Sequence, residues 1–204
     1  MQNKMRLLLM FILALLPMLF ACNQNELSSE ELMQYVMNPD HGLIKREERN
    51  GTVLEVYYKP SSLVVRQQNL NERDSSRKNH AESQLGKLDY FVLRLQHDGK
   101  EIENRYAGDP NTFNDVINYL AYGISENIKL IHGRDTIPVA DIAYGRSFGA
   151  AKKTDLLVVF DSDLQKKDGS ASVVLTDRLF GTGITKFSFD LSDLKNIPLL
   201  KPIH

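Results

Sequence analysis

Gly145-Arg146-Ser147-Phe148-Gly149 matches the G-x-S-x-G pattern of a nucleophile elbow. That pattern works when a strained strand-to-helix turn lifts the serine hydroxyl above a sheet, beside backbone N–H groups. The upstream half fits, because residues 141–144 can form a strand. The downstream half does not. Residues 150–154 are too few for a helix before the next apolar run, and the only histidine after Ser147 is His204, the last residue. A glycine-flanked loop is the reading these residues favour, and Ser147 is the one catalytic candidate. Arg146, Lys152 and Lys153 lie around the glycines and are candidates for meeting an anionic group; solvated loop charges explain them equally.

Metal chemistry finds no pattern. His41, His80, His97 and His132 fall in turns or polar stretches, with no i, i+4 or H-x-H pairing. Asp161-Ser162-Asp163 with Asp168 suggests calcium at first sight. A twelve-residue calcium loop from Asp161 would need glycine where Lys166 stands and an acid near Ser172. No metal or cofactor is expected. Tyr57-Tyr58 and Tyr119/Tyr122 could make a sugar-stacking face, but they fall on expected core elements, where packing accounts for them.

These residues must be positioned by the elements around them. Ser28 and Glu31 have capping-box spacing ahead of Leu32, Tyr35 and Val36, which predicts a helix ending before Pro39. Asn50-Gly51 between residues 43–49 and 52–58 is a hairpin signal, since both turn positions need φ > 0. Pro60-Ser61-Ser62 can open a second helix. Residues 66–87 are then nearly all polar and read as an exposed helix frayed in its middle. Residues 89–96 read as a strand with Phe91, Leu93 and Leu95 on one face. Asp98-Gly99 turns it into a polar edge strand over 101–105. After Asp109-Pro110, Phe113, Val116, Ile117 and Leu120 predict a helix that Gly123 ends.

Strands are expected at 127–132, 136–144, 155–161, 172–177 and 184–191. Leu156-Leu157-Val158-Val159-Phe160 is apolar on both faces and so central. The spacing leaves no room for helical crossovers, so the strands pair antiparallel. The expected class is α+β, one antiparallel sheet with a few helices, in a single globular domain over residues 28–204.

The start of the chain carries a different message. Lys4 and Arg6 precede an apolar run over 7–21, and Leu19-Phe20-Ala21 stands directly before Cys22, the only cysteine. Charged start, apolar core and small residue at the cut are the parts of a signal peptide. The run, broken by Pro17, falls short of the roughly 20 residues a spanning helix needs. The layout resembles the lipobox of bacterial lipoproteins, and the chain resembles lipoproteins of Bacteroidetes-type genomes. That resemblance implies removal of residues 1–21, acyl chains (palmitate among them) on Cys22, and a short membrane-proximal tether over 22–27. Two or more acyl chains anchor stably where one binds only marginally. Asn23, rather than Asp, implies the outer membrane over retention in the inner one.

Composition limits the remaining choices. The leader takes Lys4 and Arg6 from 25 basic residues set against 26 acidic ones, leaving a mature charge of about −3. Nucleic acid calls for a basic face, so it is excluded as the main partner. With Cys22 alone, no intramolecular disulfide can form. The function expected is a non-catalytic, lipid-anchored envelope protein that binds an envelope protein or glycan. The alternative is an extracytoplasmic serine hydrolase acting through Ser147.

Overall fold

Asn50 and Gly51 both adopt left-handed backbone, with φ of 52° and 71°. They close a hairpin between β2 (Ile44–Arg49) and β3 (Thr52–Lys59) in the register Arg49↔Thr52. The chain is seen in a computed structural model that describes residues 26–69 and 84–202. Cys22, the leader expected before it, and most of the polar stretch 66–87 lie outside the described residues. Before the hairpin, β1 (Glu26–Leu27) leads into α1 (Ser29–Met37), whose N-terminal capping box is closed by reciprocal bonds between Ser28 and Glu31. After it, α2 covers Ser61–Asn69.

Two antiparallel sheets make the body, where the sequence led us to expect one. The first has the order β2-β3-β4-β9-β8, with β4 at Asp89–His97, β8 at Asp141–Tyr144 and β9 at Thr154–Phe160; β5 (Lys100–Glu101) adds a short pairing to β4. The second has the order β11-β10-β6-β7, with β6 at Ile128–His132, β7 at Asp135–Pro138, β10 at Ser170–Thr176 and β11 at Ile184–Asp190. The run 136–144 therefore splits at Pro138, which supplies no N–H for the ladder to continue. Its halves belong to different sheets, and they join the sheets at one corner. At the other corner, Arg49 and Asn50 of the hairpin donate to the backbone carbonyls of Ile184 and Gly181 at 3.1 and 2.7 Å. The chain closes with α4 (Leu191–Lys195) and β12 (Leu199–Leu200), which pairs parallel with β1.

Alternation along the strands sends Leu54, Val56, Phe91, Leu93, Leu156 and Val158 inward from the first sheet, all nearly inaccessible. Leu130, Val173, Phe187 and Phe189 meet them from the second. The two faces touch at Phe91, whose ring centroid lies 5.2 Å from that of Phe189. Burying an aromatic ring of this size stabilises by about 1.5–3 kcal/mol. On the outer face of the first sheet, Arg46, Glu55, Arg94 and Asp155 stand opposite one another on four successive strands. Arg94 grips Asp155 with two bonds of 2.7 and 2.8 Å. These alternating charges satisfy one another.

The strand lengths also set two poles. β4 runs roughly 30 Å at about 3.4 Å per residue. At its Asp89 end lie α2 and, through Arg66 donating to Ser29 and to the Lys201 carbonyl, the β1/β12 pair. At its His97 end lie the Asn50-Gly51 turn, β5 and the start of β9. The expected edge strand over 101–105 is cut short there. Only Lys100–Glu101 pairs, and Ile102–Tyr106 curls into a 3-10 turn. The turn lets Glu101, Ile102 and Glu103 all be buried, whereas a continuous pleat would send Ile102 to the face opposite the two glutamates.

α3 (Pro110–Asn118) begins at the Asp109 cap as expected, but the helical path does not stop at Gly123. A π turn over Tyr119–Gly123 and a 3-10 turn over Ile124–Asn127 carry it directly into β6. Among the described residues no helix is long and apolar enough to cross a membrane.

Candidate functional site

At the His97 pole, the chain leaves β8 at Tyr144 and returns to β9 at Thr154 through the loop that carries the G-x-S-x-G residues. No helix follows Gly149; the path 150–153 is irregular before β9 begins. The geometry of an elbow is therefore missing. Ser147 donates its hydroxyl to Glu101 Oε1 and accepts the Ala151 N–H at 3.0 Å. No histidine among the described residues hydrogen-bonds it. A nucleophilic serine needs an adjacent base that takes its proton and a free path to substrate. Here both sides of the oxygen are engaged in fastening the loop.

Glu101 is the fastener. Only 2% exposed, it also accepts the Gly149 N–H at 2.7 Å through its second oxygen. Glu103, equally buried, accepts from the Tyr144 hydroxyl at 2.8 Å and from Thr154 Oγ1. Thr154 in turn accepts the Ile102 N–H at 3.0 Å. Burial, with the bond to Glu103 acting alongside it, pushes the Tyr144 phenol well above its ordinary range. Tyr144 thus stays a neutral donor at any physiological pH.

Between its two anchors the loop lifts Phe148 into solvent. Phe148 is 78% exposed and holds φ of 54°. For a residue with a Cβ, left-handed backbone costs roughly 1–2 kcal/mol. Local strain of this kind persists only where surrounding contacts impose it, and here the Glu101 bonds to Ser147 and Gly149 do so. The Arg146 guanidinium lies over two rings, 5.0 Å from the centroid of Phe113 on α3 and 4.5 Å from that of Phe148. A cleft of about 160 Å³ opens beneath it, walled by Glu101, Glu103, Asn104, Phe113, Arg146 and Phe148.

Of the residues singled out from sequence, Arg146 lines this cleft, and Ser147 does not line it but is bonded to Glu101, which does. Lys152 and Lys153 do not line it. Lys153 turns to the outer face of the first sheet and donates to Glu55 at 3.1 Å, and Lys152 faces solvent. The acidic residues after β9 do not converge. Asp163 pairs with Lys166 at 2.6 Å and Asp168 with Lys195 at 2.5 Å. Among the described residues no three His, Cys, Asp or Glu side chains are grouped to hold a metal ion. His41 stacks on Tyr35, His97 bonds Thr52, and His132 meets the Asp168 carbonyl; His80 and His204 lie outside the described residues.

Sequence reasoning missed Glu101, Glu103, Phe113 and Phe148. The two glutamates looked like solvated edge-strand residues, and Phe113 looked like core. The one available signal was an aromatic residue between Ser147 and Gly149 in a loop otherwise made of small and basic side chains. Compared with known protein families, curated proteins and solved structures, the chain matches none, so its reading rests on this geometry and on the lipobox resemblance.

Proposed function

We propose that the protein is a lipid-anchored envelope lipoprotein whose mature domain binds another envelope component without transforming it. The anchor is Cys22, with residues 22–25 as the tether, shorter than expected because Glu26–Leu27 already pair with β12, and the binding surface is the 145–149 loop with its cleft. One observation carries the reading. A solvent-facing Phe148 is held in strained backbone by a buried carboxylate, at the pole opposite the one where Glu26 enters the fold. Binding residues sit disproportionately on loops that a rigid scaffold positions. An exposed aromatic beside an arginine is also the composition enriched where partners dock. A tether at one pole leaves the other turned away from the lipid surface, where a partner can reach it.

Two measurements test the two halves. Metabolic labelling with an acyl precursor should mark the wild type and not Cys22→Ser, and the variant should leave the membrane fraction. Capture of envelope material by the purified chain should fall at least tenfold in Phe148→Ala, the loss of roughly 1.4 kcal/mol expected of an aromatic anchor. Retained sedimentation of Cys22→Ser, or undiminished capture by Phe148→Ala, would overturn the corresponding half. Labelling of Ser147 by a fluorophosphonate probe, abolished in Ser147→Ala, would replace the reading with a hydrolase.

A further inference from the structure

Opposite charges line the cleft without meeting. Glu101 and Glu103 have no Lys, Arg or His nitrogen within 4.0 Å among the described residues. Each carboxylate offers about four lone-pair positions, and the protein fills two on each. On the other wall, the Arg146 guanidinium is braced by two rings but donates to no group among the described residues. Buried charge without a counter-charge is costly, which applies to the two glutamates; Arg146 is exposed to solvent, and its unengaged guanidinium borders the same 160 Å³. At roughly 30 Å³ for each water-sized group, the space holds about five such groups.

We infer that the cleft binds a zwitterionic amino-acid group, with its ammonium toward Glu101 and Glu103 and its carboxylate on Arg146. The inference rests on the 145–149 loop being the binding site. The alternatives each leave something unmatched. A lone anion meets two carboxylates, a simple amine leaves the guanidinium that borders the cleft unused, and a neutral sugar fills lone pairs but gives the two buried carboxylates no counter-charge. Phe148 stands at the mouth, where it would lie against the ligand side chain.

Calorimetric titration of the full chain in detergent with L-alanine, L-alaninamide and N-acetyl-L-alanine tests this. L-alanine should bind saturably. Removing its carboxylate charge or its ammonium should each weaken binding about tenfold or more, the value of one charge-assisted hydrogen bond. In Arg146→Ala, alanine and its amide should bind alike, because the partner of the carboxylate is gone. No binding up to about 10 mM, equal binding of all three compounds, or binding of a neutral monosaccharide instead would overturn the inference. If capture of envelope material still depends on Phe148 while alanine does not bind, the ligand class alone is wrong. If both fail, the loop is not the site.

Discussion

Replacing Glu101 with alanine should release the 145–149 loop and cost the domain measurable stability. Glu101 accepts two hydrogen bonds, from the Ser147 hydroxyl and from the Gly149 N–H at 2.7 Å. Bonds to a charged acceptor are worth roughly 1.5–3 kcal/mol each. Part of that sum is offset because the variant no longer buries a carboxylate that is 2% exposed, so the net loss should be about 2–3 kcal/mol. With a urea m-value of roughly 2 kcal/mol/M, the midpoint should fall by about 1 M. Glu101→Gln keeps the shape and one acceptor for the Gly149 N–H, and the Ser147 hydroxyl can turn to accept from the new amide. Its loss should stay near 1 kcal/mol. Hydrogen exchange gives the local readout. The Gly149 and Ala151 amides should lose protection in Glu101→Ala and keep most of it in Glu101→Gln. A midpoint shift below about 0.25 M, or unchanged exchange at Gly149, would refute the claim that Glu101 holds the loop.

Three further expectations follow from buried polar groups and one turn. Thr185 Oγ1 is buried with no hydrogen-bond partner among the described residues, so Thr185→Val should raise the denaturation midpoint, by about 1 kcal/mol of stability. Burial works against the Asp177 carboxylate, yet the backbone N–H groups of Phe180, Thr182 and Leu179 together hold it below its ordinary 3.8. Its contribution is therefore complete above the unfolded value and fades as pH falls through the folded one. Asp177→Ala should cost about 2–3 kcal/mol at neutral pH and flatten the acid limb of a stability–pH curve below about 4. Gly51 holds φ of 71°, and an added Cβ would lie 3.2 Å from His97 Cε1. Gly51→Ala should cost at least about 1 kcal/mol in thermal denaturation; an unchanged melting temperature would contradict the strain argument.

The elements that sequence exposed are those governed by local rules. The Ser28/Glu31 capping box, the Asn50-Gly51 hairpin, the Phe91-Leu93-Leu95 face and the central position of β9 each follow from spacing within a few residues. The division into two sheets was hidden, because it depends on where the chain crosses at Pro138 and not on any run of residues. The parallel β1/β12 pair was hidden too, since it joins the two ends of the domain. The cleft was the least legible feature. Glu101 and Glu103 look like surface charge until Ser147, Gly149, Tyr144 and Thr154, all more than forty positions away, turn out to be their donors. Arg146 was visible as a charge in a glycine-flanked loop, but the aromatic bracket of Phe113 and Phe148 that fixes it is tertiary.

The most direct test of the distal loop as the binding surface is photo-crosslinking in intact cells. A benzophenone side chain substituted at Phe148 would be compared with one at Ile184, which is 67% exposed at the start of an edge strand. An adduct with a discrete envelope component at position 148, absent at 184 and lost when Arg146→Ala is added, is the result expected. Adducts of equal yield at both positions, or none at 148, would contradict it.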